Sequence, residues 1–443
     1  MLSKKHPNIV WFLIDSLRPD LLLEFISLNP DSFISNIISM GVTFDNVITS
    51  APYTITSETS ILTGVYPQLH GLDGWFKSIP YSLNKNVICF PEILRELGYY
   101  NICIYSYNIR AYVPPYGFNL FQMQKVQKKP NIKGISLYNR ALEPKFLLID
   151  FERIHEDSVN SSGNFSKKDY LSSLSILNDD IKQFYKTINN KNDTIFILSS
   201  DHGARIVEDI VCEDYKDEIH TGRYLTDKTI KTFFTIIYPN MIPKGIFISK
   251  MVRTIDIMPT LLDLLNTKHD FCQGITLLPL IKGNQLIPEL AAFSMTGYSK
   301  SSPWRAETWS IRSEKWKLIK KEIKEYFSTN YYEYSLFNLE DDPNEINNCI
   351  FEYPERTKEL TIQLEKHIVQ NKKLLVEYYE KADFLYKNIL DNRLYPLNIR
   401  YKICFNTLFR YILRNRLKHQ ISYLIYNIKQ FYISFIKKLR GKV

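Results

Sequence analysis

Short, largely apolar runs recur along the first half of the chain, and several stop at a polar residue. Asn8 to Ile14 (NIVWFLI) ends at Asp15, and Tyr99 to Tyr105 reads YYNICIY. Lys145 to Asp150 reads KFLLID, Thr194 to Ser199 reads TIFILS, and Phe233 to Tyr238 reads FFTIIY. Runs of this length, rich in β-branched and aromatic residues, predict strands buried on both faces of a parallel sheet. A further strand is expected just before Ser50. Between the strands the period changes. Leu171, Leu174, Ile176, Leu177, Ile181, Phe184 and Tyr185 recur at helical spacing within Lys168 to Ile188, and Cys89 to Leu97 also reads as a helix. Beyond residue 300, Thr308 to Ile319 (TWSIRSEKWKLI) alternates in strand fashion, and Pro354 to Gln370 reads as a helix.

In an open α/β sheet the ligand site lies outside the carboxyl ends of the strands, so the residues closing each run are the candidates for chemistry. Asp15 closes the first run, where an acidic side chain serves as a helix cap or a metal ligand. Asp201 and His202, in Ser200-Asp201-His202-Gly203, are delivered by the fourth run to a point where both can reach one cation. Asp150 closes the third run, and His155 follows it by five residues, a carboxylate and imidazole pair suited to zinc or manganese. Ser50 to Gly71 (SAPYTITSETSILTGVYPQLHG) crowds five hydroxyls between Thr54 and Ser60, with Ser57 expected as a helix N-cap. A hydroxyl at such a loop-to-helix junction can be a nucleophile.

The same string resembles the sulfatase-family signature, in the alkaline phosphatase superfamily: a nucleophile, three residues, a basic residue, then Leu-Thr-Gly-x-Tyr-Pro-x-x-His-Gly. Thr54 occupies the nucleophile position, Glu58 replaces the usual Arg, and Leu62 to Gly71 carries the ending. Asp15 to Asp20 resembles the family's Asp-Asp-x-Arg-x-Asp with Ser16 in place of the second Asp, and Asp201-His202-Gly203 matches its metal pair. Gly117 to Phe121, Val252 to Leu265, Gln273 to Gly283 and Tyr334 to Asn348 match further family segments, so the resemblance spans residues 7 to about 370. It implies an alkaline-phosphatase-like α/β/α sandwich with a mostly parallel sheet over residues 1–290. A small C-terminal antiparallel subdomain is expected over 291–371, with a turn at Asp342-Pro343, and a helical extension over 372–443. Asp15, Thr54, Asp201 and His202 are then the expected shell of a divalent ion (Mn, Zn or Ca). A second ion is expected through Asp150, His155 and His220, the two histidines also being catalytic candidates. Ser106 and Asn108 stand where relatives carry a sulfate clamp, leaving Asn108, Arg110 and Lys228 as substrate-binding candidates.

Thr54 cannot yield the formylglycine that sulfatases make from Cys or Ser. The resemblance therefore points to phosphoryl chemistry, with Thr54 attacking a phosphodiester on a cell-surface glycan or lipid-linked precursor and passing the group to water or a sugar hydroxyl. The alternatives are a sulfuric ester hydrolase and a catalytically degenerate binding protein.

Charge adds a last element. Of 56 Lys and Arg, twelve lie from Arg393 onward with no Asp or Glu, so the rest of the chain carries 44 basic against 47 acidic residues. In that tail Leu408, Ile412, Leu417, Ile421, Leu424, Ile428, Phe431 and Phe435 recur among the basic residues, predicting amphipathic helices that bind an anionic membrane surface. The alternative is that they pack on the body; no nucleic-acid module accompanies the charge, and nucleic acid is not an expected partner. The six cysteines show no paired spacing, which fits a reducing compartment. With no signal peptide or spanning run evident, the expectation is a cytoplasmic enzyme, peripheral at the inner face of the membrane.

Overall fold

The computed structural model describes residues 6–72, 83–84, 87–105, 116–123, 132–161, 164–209, 224–239, 241–284, 288–297, 307–323 and 331–377. Ser106, Asn108, Arg110, His220 and the basic tail lie outside the described residues.

Among the described residues, nine strands form the main sheet: β1 (Asn8–Ile14), β2 (Val42–Ile48), β3 (Tyr100–Tyr105), β4 (Leu120–Met123), β5 (Lys145–Phe151), β6 (Thr194–Ser200), β7 (Lys231–Ile237), β8 (Ile246–Ile248) and β9 (Val252–Arg253). Their order is β4-β3-β5-β1-β6-β7-β2-β8, with β9 also paired to β2. From β4 to β6 every pairing is parallel, whereas β7 runs antiparallel to both neighbours. Continuous apolar sequence suits β1 because both its faces are covered. Ile9, Trp11 and Leu13 pack with the helices Thr54–Thr63, Phe90–Glu96 and Ile257–Leu264. Val10, Phe12 and Ile14 pack on the other face with Pro19–Leu28, Phe33–Ile38 and Lys167–Thr187. The result is the expected α/β/α sandwich.

One local expectation changes. Ser57 is not the N-cap: the helix already begins at Thr54, with Tyr53 before it. The Ser57 hydroxyl instead donates to the Tyr53 and Thr54 carbonyls from inside the first turn. In the segment Val252 to Leu265, β9 and a 3-10 turn precede an α-helix that runs from Ile257, just after Asp256. There the Asp256 carboxylate takes both the Arg253 amide (2.8 Å) and its guanidinium (2.7 Å), tightening the turn.

The C-terminal part is an antiparallel sheet, β10 (Ala292–Thr296), β11 (Thr308–Arg312), β12 (Trp316–Ile323) and β13 (Tyr331–Asn338), in that order. Leu360 and Leu364 of the helix Pro354–Glu377 join Trp309, Ile311, Trp316, Leu318 and Leu336 in its core. The sheet is fastened to the sandwich. Met295 N–H donates to the Ser50 carbonyl (2.9 Å) and Ser294 Oγ to that of Thr49 (2.6 Å). A buried ionic clasp adds to this: Arg312 Nη2 meets Asp227 Oδ2 at 3.1 Å, and Lys317 Nζ donates to Asp227 Oδ1 and to Glu345 Oε1 (2.8 Å). Burial alone would raise the Asp227 pKa, but Lys317 and Arg312 outweigh it and hold the carboxylate well below its usual range. Among the described residues no helix is long and apolar enough to cross a membrane.

Candidate active site

The site gathers where β1 and β6 end side by side. Parallel pairing sets Ile14 opposite Ser200, so Asp15 and Asp201 leave adjacent strands together. Both carboxylates are almost wholly buried. The turn after Asp201 is forced by Gly203, whose amide donates to the Thr229 carbonyl (2.9 Å); a Cβ there would stand 2.3 Å from the Lys228 carbonyl oxygen. This turn swings His202 back over the strand ends.

His202 Nδ1 lies 2.7 Å from the Gly203 carbonyl oxygen. A carbonyl only accepts, so Nδ1 carries the hydrogen and Nε2 is left to act as a ligand. Nε2 stands 3.2 Å from Asp201 Oδ2 and 3.6 Å from Asp15 Oδ1. Ligand atoms from Asp15, Asp201 and His202 all fall within 4.8 Å of one another. Asp201 Oδ2 is buried and has no hydrogen-bond partner. Burial and the neighbouring Asp15 raise the Asp201 pKa well above the usual carboxylate range. An orphaned carboxylate oxygen beside an imidazole nitrogen and a second carboxylate is a donor set that fits a divalent cation.

Thr54, the first residue of its helix, brings Oγ1 to 3.2 Å from His202 Nε2 and 3.5 Å from Asp15 Oδ2. The hydroxyl therefore faces the same point as the three ligand groups. Ser16, read as a lost ligand, has another task. Its backbone is left-handed (φ 64°), which lets its amide donate to Asp201 Oδ1 (3.0 Å) and its hydroxyl to Asp15 Oδ1 (2.7 Å). Tyr170 locks that turn by donating to the Ser16 carbonyl and accepting from the Arg18 amide, both at 2.8 Å. Ser200 Oγ ties the loops together, accepting from Leu17 N–H (3.0 Å) and donating to the His202 carbonyl (2.9 Å).

The remaining candidates are placed as follows. Asp150 ends β5, next to β1, and is buried; burial, then Glu152, Asp15 and Asp201, raise its pKa. His155 is half-buried on the helix Arg153–Asn160, outside the three-ligand group but near enough to act on the Asp201 charge. Lys228 Nζ pairs with Asp20 Oδ2 at 3.3 Å. Asp20 also binds Arg18, whose guanidinium reaches Asp209 and the Ala204 carbonyl. Asn108, Arg110 and His220 lie outside the described residues. Two acids near these groups were given no role by the sequence pattern. Glu152, just beyond β5, is pushed up to about 9 by burial and by Asp15 and Glu156. Glu58 is wholly buried one helical turn past Thr54. Its four-residue spacing from Thr54 was the available signal, since residues so spaced share a helix face.

The sulfatase family model matches residues 7–267, and the model of the C-terminal part of N-sulphoglucosamine sulphohydrolase matches residues 218–374. An arylsulfatase of Clostridium perfringens is 29% identical over 103 residues, a stretch covering 22% of this chain and 20% of that relative's length. A protein solved in complex with its substrate D-glucosamine-2-N,6-O-disulfate has a TM-score of 0.65 at 16% identity, covering 85% of this chain and 100% of that one. The phosphonate monoester hydrolase of Agrobacterium radiobacter gives 0.62 at 16% identity, covering 83% and 96%. At these identities the structural likeness is one of fold.

Proposed function

The chain belongs to the sulfatase family, and from that premise we propose that it cleaves or transfers phosphoric esters with Thr54 as nucleophile. The observation that carries this reading is the Thr54 hydroxyl facing the ligand atoms of Asp15 and His202. Oxidising a threonine side chain gives a ketone, because Cβ carries a methyl group, so this position cannot supply a formylglycine aldehyde. A free hydroxyl remains the nucleophile. Asp15, Asp201 and His202 would hold a divalent cation, which supplies positive charge that lowers the hydroxyl pKa and stabilises the transferring group.

In this scheme Thr54 Oγ1 loses its proton as it forms a bond to phosphorus, and the ester P–O bond breaks. The departing oxygen takes up a proton. Attack by water, or by a sugar hydroxyl, then breaks the P–Oγ1 bond and restores Thr54. His155 and His220 are the proposed proton carriers. Ser16, Tyr170 and Ser200 hold the two ligand loops in register while charge redistributes. The substrate class is an anionic ester on a glycan or a lipid-linked precursor; the disulfated sugar bound by one structural neighbour supports the glycan half of that reading.

Sulfuric ester hydrolysis is the second reading, favoured by the family itself and by the arylsulfatase relative. A buried hydroxyl facing an orphaned carboxylate oxygen of Asp201 and the His202 imidazole counts against a degenerate binding protein. The deciding measurement is turnover of a matched phosphodiester and aryl sulfate, with added Mn, Zn or Ca, by wild type and Thr54→Ala. Thr54-dependent cleavage of the phosphodiester alone supports phosphoryl chemistry. Thr54-dependent cleavage of the sulfate alone overturns it in favour of the second reading.

A further inference from the structure

The helix Asp227–Ile230 is a single turn, too short to satisfy its own backbone. The first amides and last carbonyls of any helix have no intrahelical partner, so in a turn this short most backbone groups must bond outward. Here the outward bonds divide by end. At the start, the Asp227 amide donates to Glu345 Oε2, while Arg312 of β11 and Lys317 of β12 hold the Asp227 carboxylate. Arg312, Lys317 and Glu345 are all buried and all belong to the C-terminal part. At the far end, the carbonyls bond toward the site. Thr229 accepts from the Gly203 amide and Ile230 from the Thr49 amide, both at 2.9 Å.

Each of these acceptors holds a segment that the chemistry uses. The Gly203 carbonyl is the group 2.7 Å from His202 Nδ1, the contact that leaves Nε2 beside Asp15 and Asp201. Gly203 is thus bonded through its amide to the turn and through its carbonyl to the imidazole. Thr49 directly follows β2, five residues before Thr54, and Ser294 and Met295 of β10 donate to the Thr49 and Ser50 carbonyls. Lys228 on the same turn pairs with Asp20, but that pair is partly exposed and contributes little. The backbone bonds carry the connection. They weaken steeply when misaligned, so a shift of the turn is passed on to both segments.

We infer that Asp227 is a positioning residue for the cation site. The C-terminal sheet sets the turn, and the turn sets the direction from which His202 Nε2 meets the ion and the seat of the chain leading to Thr54. The inference rests on the reading of Asp15, Asp201 and His202 as that site. It gives the C-terminal sheet a share in the chemistry, although the three ligand groups all come from the sandwich.

The test compares Asp227→Ala with Leu364→Ala in the full chain. Leu364 is wholly buried in the core of the C-terminal part and is not a member of the clasp, so its truncation destabilises the same part by another route. Two quantities are read. One is Mn affinity, by titration followed with electron paramagnetic resonance. The other is amide hydrogen exchange over residues 201–206 and 46–50, by mass spectrometry without metal. Asp227→Ala is expected to weaken Mn binding about 10-fold, as loss of a group that orients a ligand does, and to speed exchange in both segments while β1 is unchanged. Leu364→Ala is expected to leave both quantities as in wild type. Should Asp227→Ala fail to fold, Asp227→Asn keeps the shape, removes the charge and takes its place in the same comparison. Equal weakening by the two substitutions makes Asp227 a general stabiliser and overturns the inference. Wild-type Mn affinity in the Asp227 variant overturns it as well, with the cation site left standing. A wild type that binds no Mn removes both readings.

Discussion

Lys317 offers a sharp test of how the C-terminal sheet supports the site. Its side chain has no exposed surface, and its ammonium is shared by Asp227 Oδ1 and Glu345 Oε1. Replacing it with Met keeps the volume and removes the charge. Asp227 retains Arg312, so the group left uncompensated is Glu345, itself nearly inaccessible. Breaking one partner out of a buried pair costs ~3–5 kcal/mol, and the surviving Arg312 contact argues for the lower end, ~3 kcal/mol. The loss should depend on pH. Burial already raises the Glu345 pKa, and removing Lys317 raises it further. An acid with a raised folded pKa destabilises the fold when ionised, so the penalty is full at high pH and fades as pH falls toward its unfolded pKa of about 4.3. Urea unfolding followed by the fluorescence of Trp309 and Trp316, on β11 and β12, reads out the sheet. The expected result is a ~3 kcal/mol loss at pH 8 that shrinks by pH 5, and recovery to within ~1 kcal/mol in Lys317→Met/Glu345→Gln. A loss below ~0.5 kcal/mol, or one unchanged by pH and by the second substitution, would refute the reasoning.

Thr54→Ala should lose about a thousandfold or more in turnover while binding cation and unfolding as wild type does, whereas Thr54→Ser keeps measurable activity; near-full activity in Thr54→Ala would sink the nucleophile assignment. His70 is buried with its pKa lowered to about 3 by burial, and its rings of contacts are the Ser60 hydroxyl and the Leu72 amide. Its neutral form is the folded form, so its stabilisation is complete above pH ~6.5 and is lost as pH falls, by about 2 kcal/mol at pH 5; His70→Gln should flatten that part of the stability profile. Gly203→Ala drives a methyl group against the Lys228 carbonyl and should cost ~1–3 kcal/mol together with cation affinity; a variant indistinguishable by thermal melting and Mn titration would contradict the close approach. Flotation with anionic liposomes should separate the full chain from one ending at Asp391, with only the former rising; equal behaviour would end the membrane role proposed for the basic tail.

How much was legible follows from the range of each interaction. The runs leading to Asp15, Asp150 and Asp201 were readable because burial on both faces leaves a largely apolar record in each strand. The runs pointed to Asp15, Asp201 and His202, and the hydroxyl-rich string to Thr54; the fold brings the four together. Ser57 misled because a hydroxyl that caps a helix and one that bonds back within its first turn have the same local sequence. Ser16 read as a missing ligand, since nothing in a string of letters shows a left-handed turn donating to two carboxylates. Glu58 was seen only as a vanished Arg; its burial against strand ends depends on how one helix packs across the sheet. The Asp227 clasp joins residues about ninety positions apart through buried ions, and no local pattern encodes it.

The position of β1 has a consequence for how the chain is made. Among the described residues this largely apolar strand pairs with β5 and β6, and neither neighbour exists until synthesis has passed Lys145 and then Thr194. Through that interval both edges of NIVWFLI offer unpaired amides and carbonyls, which is the condition under which nascent strands pair with the wrong partner. The segment that carries Asp15 to the site must therefore be shielded while the chain grows, by early packing against the helix Pro19–Leu28 or by a chaperone. The site then closes late, when β6 docks and sets Asp201 beside Asp15.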